Sequence, residues 1–130
     1  MKRYLADTSF LSALFNKDDV NHLNAKKIAQ EVKDEYFIIP AVVIAELSSF
    51  NRDLDLRDLL VDNAMNLASE VSSFGTENII PYLTFRTYYQ DKLKTMDSII
   101  LFSAIDRGPT LLTFDKELKK KHEMVCENLF

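Results

Sequence analysis

The chain is short of the residues that cross-link, bend or anchor a polypeptide. Its 130 residues include one cysteine, two glycines, three prolines and no tryptophan. A single cysteine, Cys126, excludes an internal disulfide framework and a cysteine-based zinc cage. Glycines only at positions 75 and 108 exclude a glycine-rich phosphate-binding loop. No apolar run reaches the ~18–20 residues of a membrane span, and the N-terminus carries no signal-peptide pattern. The expectation is a cytoplasmic protein with no membrane partner. What is present is a globular composition, with 47% hydrophobic residues, and this argues against disorder. The length allows one domain over residues 1–130, and a domain of this size buries roughly two-thirds of its unfolded surface. Basic residues number 16 and acidic residues 20, a formal charge of −4. That balance argues against bulk electrostatic attraction to nucleic acid.

Apolar strand-like runs alternate with helical periodicity. Arg3–Ala6 reads as a strand, and Asp7-Thr8-Ser9 supplies capping side chains for a helix that continues through Phe10–Phe15. Ala25, Ile28, Ala29 and Val32 recur at helical spacing within a helix over 21–34. Tyr36–Ile39 is a second strand, after which Pro40 opens a helix containing Val42–Leu47. Leu56, Leu59, Leu60, Leu67 and Val71 predict a long helix over 54–73, closed by Gly75 in a left-handed conformation. Asn78–Leu83 reads as a third strand kept short by Pro81, followed by a helix over 85–93. Thr95 caps a helix through Ile105 that stops at Gly108-Pro109. Thr110–Phe114 is the fourth strand, Asp115 opens a short helix, and Met124–Cys126 reads as a fifth strand. Apolar strands separated by helices predict one α/β domain with a parallel sheet covered on both faces.

Four acids fall where such a sheet forms its ligand sites, beyond the carboxyl ends of the strands. Asp7 directly follows the first strand and Asp115 the fourth. Glu46 lies about two turns into the helix after the second strand, and Asp97 in the first turn of the helix leading into the fourth. Asp7, Glu46 and Asp97 stand in apolar text with no base beside them, and buried acids need partners. Two carboxylates ~4 Å apart repel by about 4 kcal/mol at an effective dielectric near 20. A divalent cation relieves that repulsion, and an all-oxygen donor set suits Mg²⁺ or Mn²⁺. Plainer roles exist for each acid alone: Asp7 and Asp115 as helix caps, Glu46 and Asp97 as partners of distant bases. Four structural acids at strand ends would be a coincidence. The quartet equals the whole excess of 20 acids over 16 bases, so the net charge need not describe a surface that repels nucleic acid.

These stretches resemble the PIN-domain family of nucleases, and within it the small VapC-like toxins. The resemblance is carried by Tyr4-Leu5-Ala6-Asp7-Thr8-Ser9-Phe10-Leu11, Ile39-Pro40-Ala41-Val42-Val43-Ile44-Ala45-Glu46-Leu47, Met96-Asp97-Ser98-Ile99-Ile100-Leu101-Phe102-Ser103-Ala104 and Leu111-Leu112-Thr113-Phe114-Asp115. Each motif alone is weak; four in order over nearly the whole chain are specific. The resemblance implies a three-layer α/β/α sandwich with a central parallel sheet of four to five strands in the order 3-2-1-4-5. It implies a metal-dependent endoribonuclease, the toxin of a toxin–antitoxin pair, with Asp7, Glu46, Asp97 and Asp115 holding one or two Mg²⁺ or Mn²⁺ ions. Thr8 or Ser9 would order the first carboxylate, and Thr113 would assist from the far side. A homodimer and an antitoxin are the protein partners it implies. The chain departs from the family pattern at Phe114, where a polar residue is common, which bears on substrate access. Residues 84–94 are rich in aromatics and match no family signature.

An RNA substrate must also be held. Lys116, Lys119 and Lys120 follow Asp115 and are the first candidates for phosphate contacts, with Arg52, Arg57, Arg86, Lys92 and Lys94 as further ones. Their plainer role is an ordinary solvated surface. Other chemistries lack parts. Cys126 lies in no nucleophile motif, and His22 and His122 read as surface residues rather than an acid–base pair. A receiver domain would need an acid after the third strand, where Tyr82-Leu83-Thr84 stands. A phosphatase of the haloacid dehalogenase type would need a second aspartate where Ser9 stands. The remaining alternative is a non-catalytic PIN scaffold acting through protein or RNA partners.

Overall fold

The computed structural model describes residues 1–49, 53–90 and 92–129. Among these, four strands and seven helices alternate: β1 (Arg3–Ala6), α1 (Thr8–Phe15), α2 (His22–Val32), β2 (Tyr36–Pro40), α3 (Ala41–Ser49), α4 (Leu54–Leu67), β3 (Glu70–Ser72), α5 (Thr76–Tyr89), α6 (Thr95–Arg107), β4 (Thr110–Leu112) and α7 (Lys116–Leu129). The strands form one parallel sheet in the order β3-β2-β1-β4. The register sets Leu5 beside Ile38 and Leu111, and Ile38 beside Glu70. Helices cover both faces, the three-layer α/β/α sandwich expected from the sequence.

The central strands are apolar on both sides because both sides are covered. Leu5, Ile38 and Ile39 are fully buried, together with Phe10 and Leu11 of α1, Val43 of α3 and Ile100 and Leu101 of α6. Each such side chain contributes about 1.5–3 kcal/mol by leaving water. A second, aromatic cluster joins Tyr82 of α5 to Phe102 of α6, with Phe74 edge-on to both. Gly108 closes α6 at φ 75°, a conformation that favours glycine, and its amide reaches the Ala104 carbonyl at 3.0 Å.

The structure corrects four readings of the sequence. The helix expected over 54–73 ends at Leu67, and Glu70–Ser72 form β3 instead. Ala68 turns extended and the Ser69 amide donates to the Phe37 carbonyl at 2.7 Å, which pulls the chain into the sheet beside β2. Gly75 is not a left-handed cap; at φ −111° it precedes α5, and its amide donates to the Asn78 side chain at 2.9 Å. The strand expected at 78–83 is helical, as is 85–89 after it. Pro81 is tolerated inside α5 on its exposed side, where it removes one amide from the helix ladder. The fifth strand expected at 124–126 belongs to α7. Leu118 and Val125 recur seven residues apart on the buried face of that helix, a spacing that three residues alone do not reveal.

Charge is balanced at the amino edge of the sheet. Glu70, at the start of β3, accepts from the Arg107 guanidinium through both carboxylate oxygens, the Nη2 contact being 2.7 Å. The Tyr36 hydroxyl donates to the same carboxylate at 2.8 Å. Arg3 sits over the Tyr36 ring, 5.8 Å from its centroid. The Arg107 hydrogen bonds hold the Glu70 carboxyl below its ordinary pKa.

Candidate active site

The carboxyl edge is built from the opposite arrangement. Asp7 immediately follows β1, and its amide extends the ladder to β4 by donating to the Leu112 carbonyl at 3.2 Å. Its side chain caps α1, accepting from the Phe10 amide at 2.9 Å. It is only 3% exposed. The Ser9 hydroxyl donates to it at 2.8 Å and the Thr113 hydroxyl at 2.5 Å. Thr113 in turn accepts the Asp115 amide at 3.0 Å, and Ser9 accepts the Phe114 amide at 3.0 Å. Two hydroxyls therefore lock the end of β1 to the segment after β4.

Asp115 caps α7, its Oδ1 accepting from the Glu117 and Leu118 amides at 3.0 and 3.1 Å. Capping and membership of the acidic edge, weighed as alternatives in the sequence, coincide in both Asp7 and Asp115. Glu46 lies in the second turn of α3, where its Oε1 accepts the Thr8 hydroxyl. Asp97 occupies the first turn of α6. Because α6 runs back against the strands before Gly108-Pro109 turns it into β4, its N-terminus lies at the carboxyl edge.

Electrostatics register the convergence. Burial raises the Asp97 pKa most, and the charges of Asp115, Glu46 and Asp7 raise it further; Lys94 pulls the other way. Asp7 is likewise raised, first by burial, against the hydrogen bonds from Thr113, Phe10 and Ser9, with Asp115 adding to the rise. Among the described residues no Lys or Arg pairs with any of the four acids. Nor do three His, Cys, Asp or Glu side chains among them close to a metal-binding cluster as they stand. The donor set nonetheless fits a hard divalent ion. Mg²⁺ keeps several of its waters and binds through one or two carboxylates, so it needs an acidic rim rather than a dry cage.

Sequence reasoning misplaced some of the supporting residues. Ser9 and Thr113 both support Asp7, but Thr8 supports Glu46. The Phe114 ring, 5.8 Å from that of Phe10 and nearly parallel to it, packs against the core. Lys116, Lys119 and Lys120 stand exposed on the first turns of α7, while Lys121 leans onto the Tyr89 carbonyl at 3.5 Å. Arg57, Lys92 and Lys94 are on the surface, Arg57 partly covered, and Arg52 lies outside the described residues. His22 Nδ1 contacts the Ala13 carbonyl at 2.8 Å, and His122 lies 3.7 Å from the Cys126 sulfur; the two histidines have separate neighbours.

The described residues thus form a parallel α/β/α sandwich with acids gathered beyond its strand ends. The chain matches the PIN domain model over residues 4–123, and it belongs to that family. No curated protein matches its sequence. Its fold is similar to VapC20 of Mycobacterium tuberculosis, a toxin that cleaves the sarcin–ricin loop, with a TM-score of 0.71 at 19% identity over 90% of this chain and 93% of that one. It is also similar to VapBC2 of Rickettsia felis, solved with a promoter DNA fragment (TM-score 0.70, 20% identity, 91% and 92% covered). PAE2754 of Pyrobaculum aerophilum follows at a TM-score of 0.59 and 18% identity, over 98% and 95% of the two chains.

Proposed function

We propose that this protein is a metal-dependent endoribonuclease, the toxin of a toxin–antitoxin pair acting in the cytoplasm. The observation that carries the reading is the carboxyl edge itself. Four acids from four parts of the chain share one field there, and among the described residues none of them forms a salt bridge. Asp7, Glu46, Asp97 and Asp115 would hold Mg²⁺ or Mn²⁺, one or two ions. Bound there, the ion supplies charge that acidifies water and offsets the negative charge of a phosphodiester under attack. The chain's own part is to orient the carboxylates. Thr113 and Ser9 fix Asp7, Thr8 fixes Glu46, and the helix amides fix Asp115. Lys116, Lys119 and Lys120 steer RNA phosphates toward the edge.

The similarity of fold to a toxin that cleaves the sarcin–ricin loop supports a looped RNA substrate. The similarity to a VapBC complex supports an antitoxin partner. A groove of about 470 Å³ between α1, α3 and α4, lined by Phe15, Leu47, Leu56 and Leu60 and rimmed by Asn16, Lys17 and Asp18, suits a partner segment of mixed apolar and polar side chains. A homodimer would cover exposed apolar residues such as Ile80 and Leu83 of α5.

The test is cleavage of a defined RNA pool with mapped ends, in Mg²⁺ or Mn²⁺ and in EDTA, for wild type beside Asp7→Asn and Asp97→Asn. Cleavage by wild type with metal alone supports the reading. Cleavage that survives EDTA or both substitutions overturns it, and no Mn²⁺ binding at millimolar concentration would point to a non-catalytic scaffold.

A further inference from the structure

Helix α6 starts without a side-chain cap. Its N-cap is Lys94, which makes no capping hydrogen bond and has no acceptor atom to make one. Yet Asp97 sits in the turn that follows. The approach to that turn is braced from α5. Gln90 ends α5 in the left-handed conformation, its amide on the Arg86 carbonyl at 2.9 Å. The Arg86 side chain then reaches forward: Nη1 donates to the Tyr82 hydroxyl at 2.8 Å, and Nη2 donates to the Leu93 carbonyl at 2.9 Å. Leu93 is buried in the main core and Tyr82 in the aromatic cluster. One planar guanidinium thus ties two packed anchors together, next to the residue that caps α6. Both terminal nitrogens are engaged inside the chain, which gives Arg86 a structural role that its sequence reading as a phosphate contact did not include.

We propose that Arg86 is a positioning residue for Asp97: by clamping the Leu93 carbonyl to α5 it sets where α6 begins, and so where Asp97 stands relative to the other three acids. This rests on the metal-site reading above, and the experiment separates the two. Arg86→Met, Arg86→Lys and Tyr82→Phe are compared with wild type by three measurements. These are amide exchange at Ser98, whose N–H closes the first turn of α6 on the Lys94 carbonyl at 2.9 Å, Mn²⁺ binding by calorimetry, and the salt slope of RNA binding. Exchange at Ser98 should quicken in Arg86→Met by about tenfold, and Mn²⁺ should bind about tenfold more weakly, as when an outer partner of a metal ligand is lost. Arg86→Lys, which cannot bridge both acceptors, and Tyr82→Phe, which frees one nitrogen, should shift both readouts less and in the same direction. The salt slope should stay that of wild type. Unchanged exchange at Ser98 overturns the proposal. So does a shallower salt slope with unchanged Mn²⁺ affinity, the mark of a phosphate contact. A wild type that binds no Mn²⁺ defeats the metal reading alone, and exchange then decides on the clamp. If Arg86→Met does not fold, Arg86→Lys and Tyr82→Phe decide.

Discussion

The two edges of the sheet treat charge in opposite ways. At the amino edge Glu70 meets Arg107, Tyr36 donates to the same carboxylate, and the acid is held ionised. At the carboxyl edge acids meet acids, and Asp7 and Asp97 are pushed toward their protonated forms. The same backbone supports both, so the fold does not demand the repulsion. The unbalanced edge is the one that the proposed function assigns to a divalent cation.

Substitutions can break or sharpen that contrast. The largest effect belongs to the acids themselves. Asp97→Asn should cut RNA cleavage by more than about 100-fold, beyond what losing a supporting partner does, measured with saturating Mn²⁺. Thr113→Val removes a hydroxyl that serves Asp7 and the Asp115 amide together, and should lower cleavage about 10–100-fold while the protein stays folded. Charge reversal at Lys119 and Lys120 should flatten the salt dependence of RNA binding by roughly two units of slope, if each contacts one phosphate; an unchanged slope would return them to ordinary surface.

Stability should then respond to pH with opposite sign at the two edges. The folded-state pKa of Asp97 is raised, so without metal its contribution falls as pH rises from the ordinary aspartate value through the raised one. Asp97→Asn should therefore raise the melting temperature of metal-free protein at pH 7, and the gain should vanish in acid. The folded-state pKa of Glu70 is lowered, so its contribution is present above the ordinary glutamate value and is lost as pH falls through the depressed one. Glu70→Gln should cost about 1 kcal/mol or less at pH 7, since the pair is partly exposed, and less still in acid. Denaturant melts at several pH values check both; equal signs at the two edges would refute the contrast.

The central strands and the strand-end placing of Asp7 and Asp115 were legible because they rest on strong local signals, whereas spacing alone did not put Asp97 at that edge. Tyr36–Ile39 is continuously apolar, and an acid directly after a strand has one edge to face. Strand β3 was not legible: Glu-Val-Ser has one apolar residue, and only pairing with β2 makes it a strand. Helix α5 was misread because Asn78–Leu83 is a short run rich in apolar residues, and so short a run does not separate strand from helix by its period. In the site, Thr8 pointed to Asp7 by adjacency, yet the first turn of α1 carries its hydroxyl to Glu46. The Arg86 clamp was invisible, since nothing in sequence distinguishes a guanidinium held by a carbonyl from one in water.

The lock between Thr113 and Asp7 joins residues separated by 106 positions. A chain still being synthesised, with β4 and Asp115 inside the ribosome, has neither the second hydroxyl on Asp7 nor the fourth acid. Every product cut short before Thr113 lacks the complete edge, so under the proposed function activity would arise only after the chain has been made through Asp115.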